Sequence, residues 1–152
     1  MPAPRIIYKA GFTVVGIARE GEISGLDNDA LWGELGERFA EIPHANPDAG
    51  FGVHYWVDSK QRYLAGLTVS ENGTIPAGMD EQRFEAHIYA VFVHTGQVSG
   101  LAQTVEWVFK EWLPESYYER DGEFYFEYYD DRFQPGSRDS VVFLWVPVRE
   151  KN

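Results

Sequence analysis

The sequence contains no cysteine, which excludes disulfide bonds, thiolate metal sites and cysteine nucleophiles. Positive charge is also scarce, since 13 lysine and arginine residues stand against 24 aspartate and glutamate residues, for a formal net charge of −11. A chain of this charge repels phosphate backbones and anionic lipids and attracts cations. We therefore expect no direct nucleic-acid partner and no membrane association.

Long hydrophobic runs and catalytic motifs are missing as well. No run approaches the roughly 18 residues of a membrane-spanning helix, and no signal-peptide pattern is present, so we expect a cytoplasmic protein. There is no Gly-x-Ser-x-Gly elbow and no phosphate-binding glycine-rich loop. The four histidines, His44, His54, His87 and His94, do not have the spacing of metal ligands. The sequence thus predicts no metal and no cofactor.

Aromatic residues are abundant, with 10 Phe, 9 Tyr and 5 Trp. Two aromatic-rich runs, residues 122–129 and 141–147, are separated by a turn-rich segment and predict a β-hairpin. Within the first run Glu127 lies between Phe126 and Tyr128. A carboxylate there can face solvent, pair with an arginine such as Arg62 or Arg132, or face a ligand. Strand alternation places Tyr125 and Tyr129 on the same face as Glu127.

The remaining elements follow from periodicity and turn residues. Leu31, Leu35 and Phe39 form one helical stripe, and Leu101, Val105 and Val108 begin a second, which Pro114 is expected to end. Strands are predicted over residues 5–9, 12–19, 51–58, 61–70 and 84–94.

The order strand, helix, strand, strand occurs twice, over residues 12–70 and 84–148. We therefore predict a single α+β domain over residues 1–152, built from two repeats of about 5–72 and 76–150. Pseudo-twofold symmetry would place two helices on one face of an antiparallel sheet, flanking a ligand cleft. In this repeat Glu127 corresponds to Tyr55.

Four stretches in this order resemble the GyrI-like small-molecule-binding domain, also called the AraC-type effector-binding domain. They are residues 75–79 leading to 89–96, residues 111–116, residues 126–129, and residues 141–148 with the closing Val-Pro-Val. The resemblance implies a duplicated fold with a cleft at the pseudo-twofold axis and Glu127 at its centre. A second glutamate often found in the final strand of the family is replaced here by Phe143 or Leu144. Because one such domain accounts for the 152 residues, we expect no helix-turn-helix within them.

From the resemblance we expect a module that binds amphipathic, cationic aromatic small molecules, for sensing or sequestration. Glu127 would be the counter-ion, and the candidate cleft aromatics are Tyr55, Tyr89, Trp112 and Trp145. Two alternatives stay open. Some similar proteins hydrolyse cyclopropane-bearing DNA-alkylating compounds, which would make Glu127 catalytic, and others resemble inhibitors of DNA gyrase, which would imply a protein partner.

Overall fold

All strands in the described part of the chain join one antiparallel sheet. The structure, a computed structural model, describes residues 3–21 and 25–152, although not the side chains of residues 25–27. The strands are β1 (Arg5–Lys9), β2 (Phe12–Glu20), β3 (Gly50–Val57), β4 (Lys60–Thr68), β5 (Asp80–Phe84), β6 (His87–Thr95), β7 (Tyr118–Arg120), β8 (Phe124–Tyr129) and β9 (Val141–Glu150). Their order is β1-β6-β9-β8-β3-β4-β2-β5, and β7 also pairs with β9.

Two helical regions cover one face of the sheet. Helix α1 (Gly25–Arg38) ends in a 3₁₀ turn (Phe39–Glu41), and its buried Leu31 and Leu35 pack in one cluster with Ile17 and Tyr63 of the sheet. Helix α2 (Leu101–Trp107) runs on through a π-helical segment (Val108–Trp112) into a last turn, α3 (Leu113–Glu115). No helix in the residues described is long and apolar enough to cross a membrane.

The other face of the sheet encloses an aromatic core. The rings of Phe12 on β2 and Phe126 on β8 have centroids 5.4 Å apart, although β3 and β4 lie between those strands. In a flat sheet three strand spacings would separate them by about 14 Å. The sheet therefore curls around this cluster, which also contains Tyr55, Tyr89 and Phe124. Most of the aromatic surplus of this region is used for packing.

The predicted α+β class, with an antiparallel sheet and two helices, is confirmed. The order β6-β9-β8 followed by β3-β4-β2 is symmetric about the β3–β8 pair, as a duplication would require. The duplication itself, with repeats of about residues 5–72 and 76–150, stays a prediction.

Two local features of the sheet differ from the prediction. The strand expected over residues 84–94 is two strands, because the polar segment Asp80–Phe84 pairs as an edge strand with β2. The short strand β7 was not expected. Pro114 lies in the last turn of the second helical region, which ends one residue later at Glu115, so the predicted end agrees with the structure to within one residue.

Candidate ligand-binding site

The side chain of Glu127 is buried on the helix-covered face of β8. The residue is only 6% exposed, and β8 occupies the middle of the sheet between β3 and β9. Three side chains meet its carboxylate. Tyr129 donates its hydroxyl to Oε1 at 2.7 Å, Tyr63 donates more weakly to the same oxygen at 3.4 Å, and His54 Nε2 lies 2.8 Å from Oε2. Neither Arg62 nor Arg132 pairs with it, since these bind Asp80 and Asp130.

A glycine makes room for this arrangement. Gly52 on β3 lies directly opposite Glu127, and a Cβ atom there would fall 2.8 Å from Glu127 Oε1 and 2.3 Å from the Tyr63 hydroxyl. Real Cβ atoms do not approach other atoms so closely. Side chains alternate along β3, so Gly52 leaves space on the face that the Glu127 carboxylate occupies. The next residue of β3 on that face is His54.

The two phenols remain neutral donors. Burial raises the pKa of Tyr63 well above its ordinary value, and the nearby Glu127 carboxylate raises it further. The same two causes act in the same order on Tyr129. Tyr63 also accepts a hydrogen bond of 2.9 Å from Trp32 Nε1, which links helix α1 to the carboxylate. Glu127 is thus held in place by neutral groups on one side.

The sequence reasoning missed two of the residues that contact this carboxylate, Tyr63 and His54, and His54 is the closer of the two. Its ring stacks on Tyr125 with centroids 4.5 Å apart and planes 13° apart, and it meets the edge of Tyr63 at 4.8 Å. With Nε2 toward Glu127, its Nδ1 is buried and has no hydrogen-bond partner among the described residues. Stacking and the carboxylate together fix the ring orientation.

A cavity of about 570 Å³, here called the Glu127 cavity, lies above this cluster. His54, Tyr125, Glu127 and Tyr129 form its floor on the sheet. The walls come from both helical regions and include Asn28, Leu101, Val105, Glu106 and Lys110. Lys110 is paired with Glu106 at 3.1 Å, on the exposed surface of the second helical region. The cavity therefore combines aromatic rings, aliphatic side chains and one buried carboxylate.

Four residues expected in the cleft lie elsewhere. Tyr55, Tyr89 and Trp145 belong to the aromatic core on the opposite face of the sheet. Trp112, in the π-helical segment, packs edge-on against Phe92 at 5.0 Å and is not among the residues that line the Glu127 cavity. The equivalence of Tyr55 and Glu127 also fails, because Tyr55 pairs with Phe124 and Glu127 with Gly52, which places the two side chains on opposite faces.

The described residues contain no cluster of three or more His, Asp or Glu side chains that could hold a metal ion. His54 and Glu127 alone would supply two ligands, and the neighbouring phenols remain protonated, as the raised pKa values of Tyr63 and Tyr129 indicate. The arrangement directs a buried carboxylate and aromatic side chains toward the cavity.

An antiparallel sheet that carries two helices, with an acidic cavity between them, defines a small-molecule-binding domain of the α+β class. The chain belongs to the GyrI-like family, since the model of the GyrI-like small molecule binding domain matches residues 2–149. None of the other observations requires a different class.

Comparison with individual proteins places regulators and an enzyme among the similar chains. The transcriptional regulator BrlR of Pseudomonas aeruginosa is 32% identical over 151 residues, which cover 95% of this chain and 54% of BrlR. The chain thus spans about half the length of that curated relative. The structure of SAV2435 bound to tetraphenylphosphonium shares the fold at a TM-score of 0.75 and 22% identity, covering 96% of this chain and 93% of that one. A hydrolase from Listeria innocua shares the fold at a TM-score of 0.59 and 13% identity, covering 97% of this chain and 92% of that one.

Proposed function

We propose that this domain binds a lipophilic organic cation in the Glu127 cavity and serves as an effector-sensing or sequestering module. One observation carries the proposal. Glu127 is a buried carboxylate that lines an open cavity, and its hydrogen-bond partners within the described residues are two phenols and an imidazole. No lysine or arginine of the described residues pairs with Glu127, whose contacts are two neutral phenols and the imidazole of His54, so a cation in the cavity can act as its counter-ion.

The walls suit the rest of such a ligand. The ring of Tyr129 offers a cation–π contact that contributes about 0.5–2 kcal/mol depending on desolvation, and the ring of Tyr125, which stacks on His54, adds apolar surface. Leu101 and Val105 provide apolar surface for aromatic substituents. A cavity of about 570 Å³ also falls in the size range of drug-sized ligands. The net charge of −11 raises the local concentration of cations around the protein.

The similar chains support the same proposal. SAV2435 was solved with tetraphenylphosphonium, a lipophilic cation, and BrlR is a transcriptional regulator. Tetraphenylphosphonium is therefore the first probe to use. Because this chain matches about half of BrlR, a regulatory role is part of the proposal and depends on what the domain is joined to or contacts.

Isothermal titration calorimetry with tetraphenylphosphonium tests the proposal. We expect the Glu127→Gln variant to bind about tenfold to a hundredfold more weakly, or about 1.4–2.8 kcal/mol, because the counter-charge is lost while the shape is kept. Glu123→Gln is the matched control, since it removes the same charge from an exposed residue of the same hairpin. Triphenylphosphine oxide, which is neutral, should bind weakly to all three proteins. Equal affinity of the parent and Glu127→Gln proteins for tetraphenylphosphonium would refute the counter-ion role.

The hydrolase alternative has weaker support. A general base needs a lone pair directed at water, and three of the roughly four acceptor positions of the Glu127 carboxylate already face Tyr129, Tyr63 and His54, which leaves little access for a catalytic water. Incubation with a cyclopropane-bearing alkylating agent, followed by mass spectrometry, would reveal turnover. The gyrase alternative is supported only by the acidic net charge, and a supercoiling assay tests it.

A further inference from the structure

His54 and Glu127 form a buried acid–base pair inside the Glu127 cavity. Nε2 of His54 lies 2.8 Å from Oε2 of Glu127, and the two residues are only 8% and 6% exposed. Both line the cavity, so a ligand in it lies beside the pair. The imidazole is the side chain whose charge ordinarily changes between about pH 5 and 8. Ligand binding and protonation therefore meet at the same place.

The surroundings of His54 give a positive charge on its ring little support other than Glu127. A carboxylate only accepts hydrogen bonds, so Nε2 carries the hydrogen that faces Glu127. A further proton must then bind Nδ1, which is buried and has no hydrogen-bond partner among the described residues. An unpaired buried N–H group is unfavourable. The imidazolium form thus depends on the charge of the Glu127 carboxylate.

The phenols that face the pair do not share this role of Glu127. Burial, and then the Glu127 carboxylate, raise the pKa of Tyr63 on β4 and of Tyr129 on β8, so both stay neutral. Tyr125 on β8 stacks its ring on His54 with centroids 4.5 Å apart. Among the described residues of the sheet, Glu127 is the one that brings negative charge to the imidazole.

Charged groups on the other elements around the cavity are paired or point elsewhere. In the second helical region Glu106 forms an ion pair of 3.1 Å with Lys110. From helix α1 the described side chains contribute the uncharged Asn28 to the lining. Arg120 of β7 lies over two aromatic rings and is not part of the lining. A cation that enters the cavity therefore competes with the His54 proton for the same carboxylate.

We propose that a cation bound in the Glu127 cavity displaces a proton from His54, which makes His54 the residue that sets the charge selectivity of the site. This inference rests on the proposed function, since it assumes that the ligand charge is held at Glu127. Two positive groups beside one buried carboxylate repel each other. The cavity binds a cation tightly when His54 is neutral and weakly when His54 is charged.

Acid should therefore weaken the binding of a permanent cation. Where His54 of the free domain holds the extra proton, the ligand has to displace it. Affinity then falls by up to about tenfold per pH unit, because one proton is released for each ligand bound. A neutral ligand displaces no proton, so its affinity should not change with pH.

Titration calorimetry with tetraphenylphosphonium, which has no titratable group, tests this exchange. Between about pH 8 and pH 5.5 we expect the affinity of the parent to fall about tenfold to a hundredfold. Heats measured near pH 6 in phosphate and in ACES buffer, which differ in ionisation enthalpy, should show about one proton released for each ligand. The neutral triphenylphosphine oxide should show neither effect.

Two variants assign the proton to His54. His54→Gln keeps a neutral donor toward Glu127 but cannot titrate, so its affinity should be constant over this pH range and no proton should be released. His87→Gln is the matched control, because His87 also faces a carboxylate, that of Asp121 at 3.4 Å, and is not part of the cavity lining. It should behave as the parent does.

The possible results separate this inference from the proposed function. If tetraphenylphosphonium binds in a Glu127-dependent manner with equal affinity at both pH values and without proton release, the inference is wrong and the proposed function stands. If His54→Gln loses affinity in acid as steeply as the parent, the proton comes from another group and the inference is again wrong. Should His54→Gln fail to fold, the proton count of the parent decides. If tetraphenylphosphonium does not bind the parent even at about pH 8, the proposed function itself is refuted.

Discussion

Replacing Gly52 with alanine should disturb the candidate site more than any other single methyl group. The added Cβ would lie 2.3 Å from the Tyr63 hydroxyl and 2.8 Å from Glu127 Oε1. Such crowding of a packed region costs about 1–3 kcal/mol, and the weak Tyr63–Glu127 hydrogen bond of 3.4 Å is lost as well. Alanine in place of glycine in a strand returns about 0.5–1 kcal/mol. We therefore expect a net loss of about 2 kcal/mol in the free energy of unfolding.

Urea denaturation and thermal unfolding measure this change. For a domain of this size, about 2 kcal/mol corresponds to a fall of roughly 4–8 °C in Tm. Affinity for tetraphenylphosphonium should fall about tenfold, because the carboxylate is pushed from its position. Gly36→Ala is the matched control: nothing lies within 4 Å of a Cβ there, and the residue is inside α1. It should stabilise the protein by about 1 kcal/mol through helix propensity and leave binding unchanged.

A double variant checks the cause. Tyr63→Phe removes the hydroxyl that the new methyl group meets, so Gly52→Ala/Tyr63→Phe should lose less stability than the sum of the two single changes. Additive losses, or a Gly52→Ala protein with unchanged stability and affinity, would refute the packing argument.

Two further outcomes follow from buried tyrosines. Burial, and then the Glu127 carboxylate, raise the pKa of Tyr63 and Tyr129 above their ordinary value of 10.0, so the folded state holds these protons more tightly than the unfolded state. The stability that these two protonated phenols contribute is fully present below about pH 10. Above that pH the free energy of unfolding falls by about 1.4 kcal/mol per pH unit for each tyrosine. Urea titrations at alkaline pH should give a shallower decline for Tyr129→Phe, and an unchanged slope would contradict this. The Tyr89 hydroxyl is buried with no partner among the described residues. Tyr89→Phe should therefore raise stability by up to about 1 kcal/mol and leave tetraphenylphosphonium affinity unchanged in calorimetry, whereas weaker binding would show that Tyr89 contacts the ligand.

Much of the fold could be predicted because its elements have clear periodicity. The stripe of Leu31 and Leu35 and the aromatic runs of β8 and β9 gave the correct element types. The edge strand β5 could not be predicted in this way, because four of its five residues are polar and its pairing depends on the exposed edge of β2. The π-helical segment at Val108–Trp112 likewise leaves no mark in the spacing of apolar residues.

Of the residues that meet at the Glu127 cavity, the sequence pattern singles out Glu127 but not His54, and the role of Glu127 in binding stays a prediction. Glu127 was conspicuous as an acid among aromatics. The histidine spacing tests His54 only as a metal ligand, and the repeat offset selects Tyr55, its neighbour on the opposite face of β3. The strand itself held the answer: Gly50, Gly52 and His54 alternate with Phe51, Val53 and Tyr55, so the small and polar residues share one face. Aromatic residues, in contrast, could not be divided between core and cavity until the curl of the sheet was known.

The curl of the sheet places the aromatic core and the Glu127 cavity on opposite faces, so different residues stabilise the core and line the cavity. One aromatic cluster, around Phe126 and Tyr89, lies on the concave face, while the cavity proposed as the ligand site lies on the opposite face under the helices. Substitution of a residue that lines the cavity therefore leaves the concave core intact, and residues of that core lie on the other face from the proposed ligand. A lineage carrying this domain can vary exposed residues near the proposed site, such as Asp48 and Asp131, without disturbing the concave core, whereas Tyr125 and Val105 also pack under the second helical region. The same backbone can thus serve many ligands over evolutionary time.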